Sequence, residues 1–116
     1  MIAVITSEFN KEIVNGLLDG CKKSLKGHDI DIIKVPGAFE LPSTAKQCVD
    51  SSKYKAVITL GCVIRGETDH YDYICKAVSN GIMDVSIESN IPVLFGVLTC
   101  QNLSLIHISE PTRPVL

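Results

Sequence analysis

Short unbroken apolar runs alternate with helically spaced apolar residues from Ile2 to Leu98. Ile2-Ala3-Val4-Ile5 is such a run, the form a strand takes when both of its faces are buried. Thr6 to Asn10 reads as the loop that leaves it. From Lys11 onward Ile13, Leu17, Cys21 and Leu25, with Val14 and Leu18 beside them, recur at helical spacing, and Gly27 is a plausible stop. Ile30 to Val35 predicts a second strand, closed by the turn Pro36-Gly37. Pro42 fits only near a helix start, which predicts a helix over Phe39–Val49. Lys55 to Val63 is the strongest strand signal, Thr68 to Glu88 predicts the long helix with Ile74, Val78, Ile82 and Val85 along one face, and Pro92 to Leu98 predicts a fourth buried strand.

Connections this short, between strands and helices in strict alternation, leave no room for antiparallel returns. The expected fold is therefore α/β, a three-layer αβα sandwich with a four-stranded parallel sheet and helices on both faces. Its loops after the first three strands (Phe9-Asn10, Gly37 to Glu40, Arg65 to His70) then open on one edge of the sheet, where ligands of such folds bind.

Composition narrows the function. The chain has 116 residues, enough for one domain with a real core. Its 11 Lys and Arg against 13 Asp and Glu give a formal charge of −2, so no basic footprint for nucleic acid or an anionic membrane exists. No apolar run approaches the ~20 residues of a membrane span, and Met1 leads straight into the first strand without a basic, cleavable leader. The five cysteines are scattered through apolar segments with no Cys-x-x-Cys pair, as expected of reduced core residues in a cytoplasmic protein.

The stretch Val63-Ile64-Arg65-Gly66-Glu67-Thr68-Asp69-His70 carries the strongest chemical signal. It lies where a buried strand turns into a helix, so backbone N–H groups and the helix dipole face an anion, Thr68 adds a hydroxyl and His70 a proton carrier. Plainer readings stand beside this one. His70 next to Asp69 and Asp72 also suits a solvated or capping residue, Phe9 a hydrophobic staple, and Glu40 a first-turn acid facing the helix dipole. Arg65 suits a structural ion pair better than a ligand contact. Cys62, His70 and Cys75 lack the paired spacing of a metal site, and no cysteine has a context that would activate it as a nucleophile.

Taken in order, Phe9-Asn10, Pro36-Gly37-Ala38-Phe39-Glu40 and Val63 to His70 resemble the signatures of the 6,7-dimethyl-8-ribityllumazine synthase family, over Ile2 to Asn102. The resemblance implies a flavodoxin-like fold and a cofactor-free, metal-free condensation in riboflavin biosynthesis. A ribitylamino-pyrimidinedione and 3,4-dihydroxy-2-butanone 4-phosphate combine with loss of phosphate and water. It also implies roles: Phe9 stacks on the pyrimidine with Asn10 adjoining, while Ala38, Phe39 and Glu40 hold ring and ribityl chain. Cys62, Val63 and Ile64 line the ring pocket through their backbone, Cys62 standing where many members have Thr. Glu67 and Thr68 lie on the phosphate side, His70 transfers protons, and Phe95 is lent to a neighbouring subunit's site. The implied assembly is a homo-oligomer, a pentamer or a larger shell, with active sites at subunit interfaces. A catalytically silent flavin- or lumazine-binding or shell-forming module of the same fold is the competing expectation.

The family continues beyond Asn102 with two helices that supply an Arg and a Lys at the phosphate. Here Leu103 to Leu116 departs from that pattern: Leu103-Ser104-Leu105-Ile106-His107-Ile108-Ser109-Glu110-Pro111-Thr112-Arg113 resembles the conceptual translation of a transposase adapter used in sequencing libraries. The expected organisation is thus a synthase-like domain over 1–102 lacking its last two helices, a non-native tail over 103–116, and impaired activity in this chain.

Overall fold

The computed structural model describes residues 1–65 and 70–100. Among these residues four strands and three helices follow one another as β1 (Ile2–Ser7), α1 (Lys11–Ser24), β2 (Ile30–Val35), a 3-10 turn (Ala38–Glu40), α2 (Leu41–Asp50), β3 (Ala56–Ile64), α3 (Tyr71–Glu88) and β4 (Val93–Cys100). All pairings are parallel and the strand order is β2-β1-β3-β4. The chain therefore builds outward from β1 to β2, crosses back over β1 to β3, and continues to β4.

Side chains alternate across this sheet as the apolar runs require. Ala3 and Ile5 of β1 join Val57 and Val63 of β3 in one core cluster, packed against Leu41, Ala45 and Cys48 of α2 and Val78, Ile82 and Val85 of α3. Ile2, Val4 and Leu60 point the other way and meet Leu18 of α1, with Leu17, Cys21 and Leu25 alongside. A smaller cluster of Val14, Cys62 and Ile64 extends the α1 side toward the carboxyl end of the sheet. Helices thus cover both faces, giving the three-layer arrangement that the alternation predicted and the flavodoxin-like fold that the resemblance implied.

Where boundaries differ from the sequence reading, backbone pairing is the reason. β1 runs two residues beyond Ile5, because Thr6 and Ser7 pair with Lys34 and Val35 of β2 and are themselves buried. β3 begins at Ala56 and reaches Ile64, and β4 reaches Cys100 because the two strands pair as far as Ile64 with Cys100. The helix expected over Phe39–Val49 is two elements. Ala38–Glu40 forms a tight 3-10 turn and α2 begins only at Leu41, with Pro42 in its first turn. The long helix begins at Tyr71, and the predicted first positions Thr68 and Asp69 lie outside the described residues. Among the described residues no helix is long and apolar enough to cross a membrane.

Candidate functional site

Three strand ends converge at the point where the strand order reverses, between β1 and β3. In an open α/β sheet this is where a crevice forms.

The exit from β1 is pinned to β2: Glu8 N–H donates to Val35 O at 2.8 Å and Phe9 N–H to Pro36 O at 3.2 Å. Asn10 then turns the chain into α1 through a left-handed backbone, φ 61° and ψ 50°, a conformation that asparagine tolerates better than most residues. Its amide does not cap the helix; Nδ2 reaches across to Cys62 O at 3.4 Å. Phe9 is left 53% exposed at the lip of the crevice, in place of the buried contact a hydrophobic staple would make.

The exit from β2 is closed by a reciprocal pair of hydrogen bonds. Gly37 N–H donates to Glu40 Oε1 at 2.9 Å, and Glu40 N–H donates to Gly37 O at 3.1 Å. This folds Glu40 back over the turn, buries Ala38 and turns Phe39 outward. Glu40 therefore caps the turn as well as standing at a helix start, which its position alone did not reveal.

The exit from β3 is the floor. Cys62, Val63 and Ile64 are all buried. Gly61 just before them leaves little room, since a Cβ there would fall 3.0 Å from Leu41 Cδ1 and 3.1 Å from Ser7 Oγ. β1 stops pairing with β3 at Leu60, whereas β4 follows β3 to its end. On the β1 side, the last stretch of β3 backbone consequently borders the crevice instead of a strand, and Cys62 O is already seen accepting a side-chain donor there.

Together these ends enclose an open pocket of about 240 Å³. Phe9 comes from the first loop, Gly37, Ala38 and Phe39 from the second, and Cys62, Val63 and Ile64 from the third. Ile74 of α3 completes it; its helical spacing had marked it only as a core residue, and it also packs against the core. The walls suit a flat, largely apolar ring with polar edges that can meet backbone groups.

Other expected site residues stand outside the pocket lining. His70 is exposed at the N-cap of α3, its carbonyl accepting from Ile74 N–H at 2.8 Å, so it sits one helical turn from the pocket wall. Arg65 places its guanidinium 5.7 Å from the Tyr71 ring centre, a cation–π contact where an ion pair was expected. Phe95 lies on β4 in a separate groove with Ile82, Met83 and Val93. Glu67 and Thr68 lie outside the described residues.

Burial pushes the Cys75 thiol up, with Asp72 adding to the shift and a hydrogen bond with Tyr71 opposing it, so it stays protonated near neutral pH. Among the described residues no three His, Cys, Asp or Glu side chains form a group that could hold a metal ion. A family model described as 6,7-dimethyl-8-ribityllumazine synthase matches residues 1–106, a span that includes every strand, helix and loop of this crevice.

Proposed function

The chain belongs to the 6,7-dimethyl-8-ribityllumazine synthase family, and on that premise we propose that the crevice at the carboxyl ends of β1, β2 and β3 is its active site. The function is that of a transferase of riboflavin biosynthesis: 5-amino-6-(ribitylamino)pyrimidinedione condenses with 3,4-dihydroxy-2-butanone 4-phosphate to give the lumazine. The family match does not favour the silent binding module over this enzyme.

One observation carries the placement: β3 outruns β1, leaving a backbone edge at the floor of a pocket whose lip holds Phe9 and Phe39. A pyrimidinedione has a flat face and alternating donors and acceptors on its rim. Phe9 stacks on that face, and the peptide groups of Cys62 to Ile64 read the rim. Glu40, its Oε1 fixed by Gly37, offers Oε2 to the hydroxyls of the ribityl chain, while Ala38 and Phe39 form the adjoining wall. Asn10 positions the edge it touches at Cys62 O. Glu67 and Thr68 receive the phosphate. His70 moves protons as the amine adds to the ketone and water leaves, work for which imidazole is suited near neutral pH. Holding two reactants in register supplies much of the remaining acceleration. No cofactor enters this scheme.

Phe95 is 47% exposed and lines a different groove, so if it contacts substrate it does so in a second copy's crevice. We accordingly place the active sites at subunit interfaces of a homo-oligomer, a pentamer or a larger shell. Cys21, Cys48, Cys62 and Cys75 are thiols outside any disulfide, which suits the reducing cytoplasm.

The test is to mix the purified chain with both substrates and follow lumazine fluorescence. His70→Ala is expected to slow formation by ~10²–10⁴ while lumazine still binds. Parent-like turnover in His70→Ala would remove its role, and a parent chain that neither forms nor binds lumazine would overturn the placement.

A further inference from the structure

The 3-10 turn after β2 and the first turn of α3 meet through two aromatic rings. Phe39 and Tyr73 stack with centroids 6.2 Å apart and planes 25° from parallel, within the range in which offset aromatic pairs attract. Their positions differ in kind. Phe39 lines the pocket, whereas Tyr73 is outside its lining. Phe39 is 51% exposed and Tyr73 64%, so neither ring is clamped by the core. An exposed ring without such a neighbour moves among its rotamers within nanoseconds.

Each ring is nevertheless mounted on something fixed. Phe39 belongs to the turn closed by the Gly37–Glu40 hydrogen bonds. Tyr73 belongs to the helical turn that begins at the His70 N-cap and carries Ile74 into the pocket. The stack is thus a direct side-chain link between the aromatic wall and the element that bears the proton-transfer histidine.

We propose that Tyr73 is a positioning residue: its ring holds the Phe39 ring upright as the outer wall of the pocket and ties that wall to the His70 end of α3. This rests on the placement of the active site given above and deepens it, since it assigns a role to a residue that touches neither substrate. The ring performs this role, so phenylalanine substitutes for tyrosine.

The experiment measures binding of 6,7-dimethyl-8-ribityllumazine by fluorescence titration to the full chain and to Tyr73→Phe, Tyr73→Leu and Tyr73→Ala, with a thermal midpoint for each. Tyr73→Phe is expected to bind as the parent does. Tyr73→Ala and Tyr73→Leu should bind about 2- to 10-fold more weakly, the span that an aromatic pair's contribution converts to, at midpoints close to the parent's because the side chain is exposed. KM for the pyrimidinedione should rise more than kcat falls. Parent-like binding in Tyr73→Ala would overturn the proposal, as would Tyr73→Phe weakening as much as Tyr73→Ala, or affinity falling only in step with the midpoint. Should Tyr73→Ala fail to fold, parent-like binding in Tyr73→Leu overturns the proposal in its place. A parent that binds no lumazine overturns the site itself, whereas equal binding by parent and Tyr73→Ala overturns only the role of Tyr73.

Discussion

Tyr54, just before β3, is buried, and its hydroxyl donates to Asp31 Oδ2 on β2 at 2.5 Å. That hydrogen bond, then burial and the Asp31 charge, push the hydroxyl's pKa up from 10.0 to about 12. The folded chain therefore keeps the proton at pH values where the unfolded chain has lost it. The stability this contributes is whole below about pH 10 and is lost as pH rises toward about 12. Denaturant midpoints of the parent should fall across that window relative to those of Tyr54→Phe, in which nothing titrates at this position. Parallel curves for the two proteins would show that the hydrogen bond does not bias ionisation. Residue-scale features of this kind were the least legible in the sequence. Glu40 caps Gly37 because the chain folds back by one 3-10 turn, and Asn10 reaches Cys62 O across 52 positions. Ser7 looked like loop material, yet it is a buried strand residue whose hydroxyl has no hydrogen-bond partner among the described residues.

At the scale of elements, α2 and α3 approach closely where Gly81 faces Pro42. A Cβ at Gly81 would lie 2.8 Å from both Cβ and Cγ of the proline, whose ring cannot rotate away. Helix propensity alone favours Gly81→Ala by ~1 kcal/mol, but overpacking of this severity costs ~1–3 kcal/mol. Gly81→Ala is therefore expected to lower the chemical-denaturation midpoint, and Pro42→Ala in the same chain to recover part of the loss. A rise in the single variant would show that the helices separate freely. The elements themselves were readable, because burial leaves a period in the sequence: the runs of β1 and β3 and the stripes of α1 and α3 are where the spacing put them. Their ends were not, since strands stop where backbone pairing stops. Ser7 and Thr99 are polar and still belong to the ladder.

The whole molecule exposes apolar residues along one flank. On the α3 face of the sheet Phe95 of β4 is about half exposed, and Met83 in the same groove, with Ile87 one helical turn further on, still more so. On the oligomeric reading this flank is covered by a second copy, so Phe95→Asp should reduce the mass measured by sedimentation while leaving the monomer's helical content intact. An unchanged mass would remove Phe95 from the interface. The three motif loops and their order were legible in the sequence, and with them the side of the sheet on which the crevice opens. The resemblance named Cys62 to Ile64 as lining, but why their backbone borders a crevice was not legible, because it depends on register: only the observed pairing reveals that β1 falls short of β3.

The strand order has a further consequence, for the time at which the crevice comes into being during synthesis. Ile2 pairs with Ala56 and Thr6 with Leu60, so the central seam of the sheet joins residues to others made more than fifty positions later. While only β1, α1, β2 and α2 have emerged from the ribosome, β1 has a neighbour on one side and α2 has little sheet to lie on. Closing so long a loop is slow compared with local pairing, and the strand that closes it also delivers Cys62 to Ile64. The binding floor therefore arrives with β3, and a nascent chain that ends before it has neither the central seam nor the floor.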